Sequence, residues 1–277
     1  MRLSNKMINA QFTLTILGAR GSIPVSGSEY NEYGGATSCY MVEAGDQVIF
    51  LDAGTGIINA PNLDDKENIY VLLSHPHLDH IIGLPFFSEL SKKNRTITLY
   101  GKKKRGKSID LQIEKAYSPP YWPLTIAEYP SDFKYVDLEL PLIIKDQGGD
   151  ITVDGIKVSH PGGNLGLSIS YREKKLVYLT DCELSEEPDN KIVEFAKGAD
   201  LLLCDAQYTR EEYDKRIGYG HSTPEMASKL SGLAGVKQTL FIHHDPFRDD
   251  KAIHNLERKT QDKNIRFARA GEKIILG

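Results

Sequence analysis

Cysteine is scarce in this chain: Cys39, Cys182 and Cys204 are the only three in 277 residues. An odd number without metal-ligand spacing fits a reducing compartment better than a disulfide framework, so all three are read as free, buried thiols. No apolar run approaches the roughly 18–20 residues of a membrane-crossing helix, and the first residues lack the pattern of a secretion signal. A cytoplasmic location without a membrane partner is the expectation. No Pro-, Gly- or Ser-rich linker and no repeat of about 20–50 residues interrupts the chain, which argues for a single domain over 1–277. Neither sign of charge dominates, since the net charge is -4 with 26% charged residues, and composition alone implies no acidic or basic partner. A Gly-x-Ser-x-Gly nucleophile is also missing, and no cysteine has a histidine close in sequence, so covalent catalysis has no support.

What is present is a repeated strand pattern. Segments rich in β-branched and aromatic residues occur at 12–17, 39–43, 47–51 and 69–73, with a turn at Gly45-Asp46. A second set follows at 156–159, 167–171, 176–180, 201–204 and 238–242, with Asp154-Gly155 expected to turn a hairpin. Helical patterns cover 189–197, 223–233 and 251–262, the second opened by Thr223-Pro224-Glu225. Strands followed by helices, twice over, predict two mixed β-sheets packed face to face with helices outside, an α/β protein of αββα sandwich type. The segment from about 101 to 146 fits this pattern poorly and is expected to be a lid-like insertion.

Eight histidines occur in the chain, and three of them fall within Ser74-His75-Pro76-His77-Leu78-Asp79-His80. A strand that gives way to a loop places successive side chains around one point. His75 and His77 can therefore grip one cation while Asp79 and His80 turn toward a second. Imidazole and carboxylate suit zinc, the first expectation, and also manganese or iron. Two divalent metal ions need further ligands, and His160, Asp181 and His243 each follow a strand-like run. Asp52 precedes Ala53-Gly54-Thr55-Gly56 and is expected to accept a hydrogen bond from a ligating imidazole, fixing its tautomer.

These motifs, together with Gly18-Ala19-Arg20-Gly21-Ser22, resemble the metallo-β-lactamase superfamily. The likeness is to its phosphodiesterase branch, which includes tRNase Z and cyclic-phosphodiesterase-like proteins. The resemblance implies that His75, His77 and His160 hold one metal, that Asp79, His80 and His243 hold the other, and that Asp181 bridges them. His244 is the alternative to its neighbour.

In Gly220-His221-Ser222-Thr223-Pro224 a histidine stands at the mouth of a helix, where free N–H groups favour an anion. By resemblance to tRNase Z, His221 is the general acid and Asp205 the carboxylate that orients it, aspartate standing where tRNase Z has glutamate. Asp79 counts among the catalytic residues as well as the ligands. Water activated between the cations is the expected nucleophile.

The resulting expectation is a metal-dependent phosphodiesterase for a small phosphodiester or nucleotide, plausibly a cyclic nucleotide or cyclic phosphate. The alternatives are a tRNA 3′-processing RNase, a lactone, thioester or β-lactam hydrolase, and a nucleic-acid-binding protein with structural metals. RNA is a further candidate partner because Lys92, Lys93, Arg95, Lys102, Lys103, Lys104, Arg105 and Lys107 form a basic run without an acidic residue. That run can equally be a solvated loop. Tyr117, Tyr121, Trp122, Tyr129, Phe133 and Tyr135 could stack on a base or form a small core. A homodimer is left open.

Overall fold

The computed structural model describes residues 11–260 and 262–277. Its strands, in chain order, are β1 Phe12–Gly18, β2 Cys39–Ala44, β3 Gln47–Leu51, β4 Asn68–Leu72, β5 Thr96–Gly101, β6 Asp132–Asp137 and β7 Leu142–Ile144, then β8 Ile151–Val158, β9 Asn164–Tyr171, β10 Lys174–Leu179, β11 Leu201–Asp205, β12 Thr239–Ile242, β13 Ile265–Phe267 and β14 Lys273–Ile275. The α-helices are α1 Leu78–Ile81, α2 Ile109–Ala116, α3 Asn190–Ala196, α4 Arg210–Tyr213, α5 Pro224–Ala234 and α6 Asp250–Glu257.

Two seven-stranded sheets result, ordered β14-β1-β2-β3-β4-β5-β6 and β13-β12-β11-β10-β9-β8-β7. Each begins antiparallel and turns parallel: β3 to β6 run together in the first and β10 to β13 in the second. Both sheets are mixed, and the second half repeats the plan of the first. The inner faces meet in one core that joins Leu14, Ile16, Val42 and Leu51 to Leu167, Ile169, Leu203 and Ile242. Separate apolar clusters cover the outer faces, with α5 and α6 contributing Met226, Leu230 and Ile253 to the second. Burial on both faces explains why strands such as β11, buried at every residue, read as continuous apolar runs. The αββα sandwich is therefore borne out.

Two local expectations are corrected. Asp154-Gly155 lies inside β8, paired with Ser168 and Leu167, and is no turn. Gly155 is there because a Cβ would meet Leu140 Cδ1 at 2.8 Å and Gly166 O at 3.0 Å, a close approach that glycine permits in a strand. The last helix ends at Glu257 rather than 262; Asp249 caps its start by accepting from Ala252 N at 2.7 Å, and the apolar period lapses after Leu256. Gln261 lies outside the described residues.

Within 101–146, α2 is followed by β6 and β7, the outermost strand of each sheet. Tyr117, Trp122, Tyr129, Phe133 and Tyr135 pack on the outer core of the first sheet, and only Tyr121 stands free, 82% exposed. All three cysteines are free and buried, and among the described residues no helix is long and apolar enough to cross a membrane.

Candidate metal centre

Parallel pairing brings the carboxyl ends of β3 and β4 to one rim of the sandwich, alongside those of β10, β11 and β12. Asp52 follows β3, His75 lies just beyond β4, Asp181 follows β10, Asp205 closes β11 and His243 follows β12. Open α/β sheets use this rim for ligands. Asp52, Asp181 and His243 hold left-handed backbone, with φ of 60°, 46° and 61°. Such residues cost of order 1 kcal/mol or more each. The strain sits where the strand must stop and turn a side chain into the rim.

A group of Asp205, His221 and His243 gathers there beside two larger sets, His75, His77, His160 and Asp181, and Asp79, His80, Asp181 and His243, the atoms of each within 4.8 Å of one another. Asp181 belongs to both larger sets. Its Oδ1 lies 3.0 Å from His80 Nε2 and 3.2 Å from His243 Nε2, while its Oδ2 lies 3.6 Å from both His75 Nε2 and His160 Nε2. Asp79 Oδ2 is 3.2 Å from the Nε2 of both His80 and His243. Ligands about 2.1 Å from one tetrahedral cation stand roughly 3.4 Å apart, so these spacings fit coordination.

The imidazoles are held for it from behind. The Nδ1 of His80 meets Asp52 Oδ2 at 2.7 Å, that of His160 meets Gly220 O at 3.1 Å, and that of His243 meets Gln207 Oε1 at 3.2 Å. Each Nε2 is thereby left for the cluster, as metal sites require. His75 Nε2 is buried without a hydrogen-bond partner, which a cation would supply. His77 is reversed, with Nδ1 3.2 Å from His160 Nε2.

Charge points the same way. Burial presses His75 well below the usual histidine range, despite Asp181, which keeps it neutral and able to ligate. Burial also opposes charge on His243, but Asp181 and Asp79 outweigh it and lift the imidazole to about 9. Burial is likewise outweighed at His80 by Asp181, Asp79 and Asp52, which raise it, and this excess of carboxylate around His80 and His243 is a field that attracts a cation. His243 faces the centre, whereas His244 turns away and meets Ala268 O at 2.8 Å.

Asp52 also accepts Ser74 N and Oγ, each at 2.8 Å, and Tyr178 Oη at 2.7 Å, so it ties both sheets to His80. Two glycines seat the rings. A Cβ on Gly21 would stand 2.4 Å from the His243 ring, and one on Gly220, whose φ is 93°, would stand 2.1 Å from His160 Nδ1. Beside the second set, His221 Nδ1 meets Asp205 Oδ2 at 2.7 Å, and its ring stacks on His243 at 4.8 Å and 13°. Asp205 Oδ1 accepts Ser222 N at 2.9 Å, just ahead of α5.

Residues 47–244 match the family model described as beta-lactamase superfamily domain. The chain belongs to the β-lactamase superfamily. Its member here is 25% identical over 279 residues to Ribonuclease Z of Archaeoglobus fulgidus, an alignment covering 84% of this chain and 87% of that protein. Its fold is shared with the metallo-beta-lactamase fold protein YhfI of Bacillus subtilis, at TM-score 0.71 and 19% identity over 96% of this chain and 99% of that one. It is likewise shared with human tRNase Z, short form, at TM-score 0.66 and 18% identity over 96% and 99%.

Sequence reasoning missed Tyr178, Gln207 and Ser74 as supports for this superfamily site. Only Ser74, beside His75, carried any local signal; the other two are polar residues whose partners lie on distant strands.

Cation binding should stabilise the folded chain by mass action, since the ligands are assembled only there. Adding Zn²⁺ at about 100 times its Kd should raise Tm by roughly 5–10 °C over chelated protein. A Tm indifferent to both chelator and metal would show that these residues hold no cation.

Proposed function

We infer that the protein is a metal-dependent phosphodiesterase. His75, His77 and His160 would hold one divalent cation and Asp79, His80 and His243 the other, with Asp181 between them. Zinc is the first candidate, with manganese and iron accommodated by the same donors. When bound, two such cations lower the pKa of water and neutralise charge on phosphate oxygens.

The observation that carries the phosphate reading is the Asp205–His221 pair, set against the ligand cluster at the start of α5. With Nδ1–H bound to Asp205, the proton to be given up sits on Nε2, and His221 delivers it to the leaving oxygen. Asp205 fixes the ring through its contact with Nδ1 and anchors the loop through Ser222 N. Asp79 also holds the loop after β1, accepting Ser22 N at 2.9 Å. An alkoxide of a nucleotide is a poor leaving group and needs that proton.

The substrate proposed is a small phosphodiester, with a cyclic nucleotide or cyclic phosphate the compact example. A second reading, an RNA 3′-processing endonuclease, is favoured by similarity to Ribonuclease Z along most of the chain. The test is a substrate panel with added Zn²⁺ or Mn²⁺: bis(p-nitrophenyl) phosphate, 2′,3′- and 3′,5′-cyclic nucleotides, a lactone, a thioester and a β-lactam. Metal-dependent turnover of the phosphodiesters is expected. Preference for the lactone, thioester or β-lactam, or no metal-dependent turnover of any diester, overturns the reading.

A further inference from the structure

His75, His80, Asp181 and His243 are buried, whereas His77 is exposed, so the cluster is reached from solvent past His77. What borders that entrance is a basic hairpin. Beyond β5, Lys104 N donates to Lys107 O at 3.0 Å and Lys107 N to Lys104 O at 2.9 Å, closing a two-residue turn on Arg105 and Gly106. Both hold positive φ, 48° and 75°, as a type I′ turn requires. Gln112 Nε2 of α2 clamps the base, donating to Lys102 O and Lys107 O at 3.0 Å each. The lysines therefore stand on a held turn rather than a free loop.

Lys104 Nζ donates to Gly163 O and so docks the hairpin on the Pro161-Gly162-Gly163 loop that follows His160. Between them is a cavity of about 250 Å³ whose lining includes Ser74, Lys102, Lys104, Lys157, Gly162 and Asn164. It adjoins the metal centre at two points. Ser74 precedes His75, and a Cβ on Gly162 would stand 3.8 Å from His77 Nε2. No carboxylate lines it. Lys103 is neutralised by Asp137 at 3.4 Å, but among the described residues Lys102 and Lys157 have no acidic partner. Lys102, Lys104 and Lys157 thus border a cavity walled mainly by apolar surface, smaller than the roughly 300–1,000 Å³ of a complete small-molecule site. It suits a substituent of the substrate rather than a whole molecule.

We propose that this cavity is a subsite for a second phosphate, making the substrate a phosphodiester that carries another phosphate group beside the scissile one. A cyclic mononucleotide, with a single phosphate, leaves the subsite unused. The inference rests on the phosphodiesterase reading, narrows its substrate class, and leaves two sources of the second phosphate: the next linkage of an oligonucleotide or a terminal phosphomonoester.

Three substrates separate them: thymidine 5′-(p-nitrophenyl phosphate), the same compound bearing a 3′-phosphate, and the same compound linked through its 3′-phosphate to a second thymidine. At low salt, kcat/KM for at least one of the latter two should exceed that of the first by roughly tenfold to a hundredfold, as charge-assisted contacts give. The gain should lie mainly in KM, fade as salt rises, and fall to about threefold or less in a Lys102→Gln/Lys157→Gln variant. It should persist in Lys197→Gln, where a remote lysine is lost from its pairing with Glu194. The 3′-phosphate and the dinucleotide arms identify the source. Equal kcat/KM for all three substrates in the unaltered protein, or an advantage that survives the double substitution, overturns the subsite. If none of the three is turned over, the phosphodiesterase reading fails by itself. Fluorescence anisotropy with labelled oligothymidylate then decides the subsite: affinity lost in the double variant supports it, and unchanged affinity overturns it.

Discussion

Replacing Asp181 by alanine is expected to abolish turnover and to leave the protein unable to retain two equivalents of metal. Removing any other proposed ligand subtracts a donor from one of the two proposed metal sets, whereas the two oxygens of Asp181 face different sets, 3.0–3.2 Å from His80 and His243 and 3.6 Å from His75 and His160. Loss of this carboxylate also leaves four imidazoles without their shared negative partner. Two cations contribute several kcal/mol to transition-state stabilisation, so kcat/KM should fall by roughly 10³-fold or more. Metal content measured by mass spectrometry, in Asp181→Ala beside Asp181→Asn, checks the cause directly. Two cations held by Asp181→Ala as tightly as by the unaltered chain would remove Asp181 from the centre.

His221→Ala should lower kcat on nucleotide substrates by roughly 10²–10⁴-fold, the usual contribution of a placed general acid. Its dependence on leaving group separates this role from a structural one. p-Nitrophenolate departs without a proton, so bis(p-nitrophenyl) phosphate should lose far less than a cyclic nucleotide. Asp205→Ala should follow the same pattern more weakly, because it acts through the His221 ring at 2.7 Å and not on the substrate. Metal content should stay at the level of the unaltered protein in both variants. Equal losses on good and poor leaving groups would refute proton donation by His221 and leave it a packing partner of His243.

The basic run shows where reading residues in order reaches its end. Lys92 is engaged by Asp64 at 2.6 Å and Glu89 at 2.9 Å, and Arg95 is buried against Glu89 at 2.6 Å and Leu63 O at 2.8 Å. Those two serve the fold. Lys102 and Lys104, a few positions on, line a cavity beside the candidate metal centre. Acids that neutralise one half lie before the run, and the lining that recruits the other half comes from β8 and the loop after it. Nothing in a string of like charges distinguishes them. The same holds for the aromatics of 101–146: Tyr117, Trp122, Tyr129, Phe133 and Tyr135 pack on the outer face of the first sheet, while Tyr121 is exposed.

By itself the sequence determined the fold class and the superfamily, because apolar runs of strand length, the repeat of their order and the His75 to His80 spacing are local properties of the chain. It also nominated His160, Asp181 and His243, since each directly follows a strand-like segment. Only the tertiary structure decided which atoms meet. His243 and His244 are adjacent and chemically identical, and the left-handed turn at His243 aims one at the centre and the other at Ala268. The two-sided reach of Asp181, the Asp52–Tyr178 tie between sheets and the cavity shared by Lys102 and Lys157 all join strands far apart in sequence. Such contacts are set by sheet register and packing, which no short segment encodes.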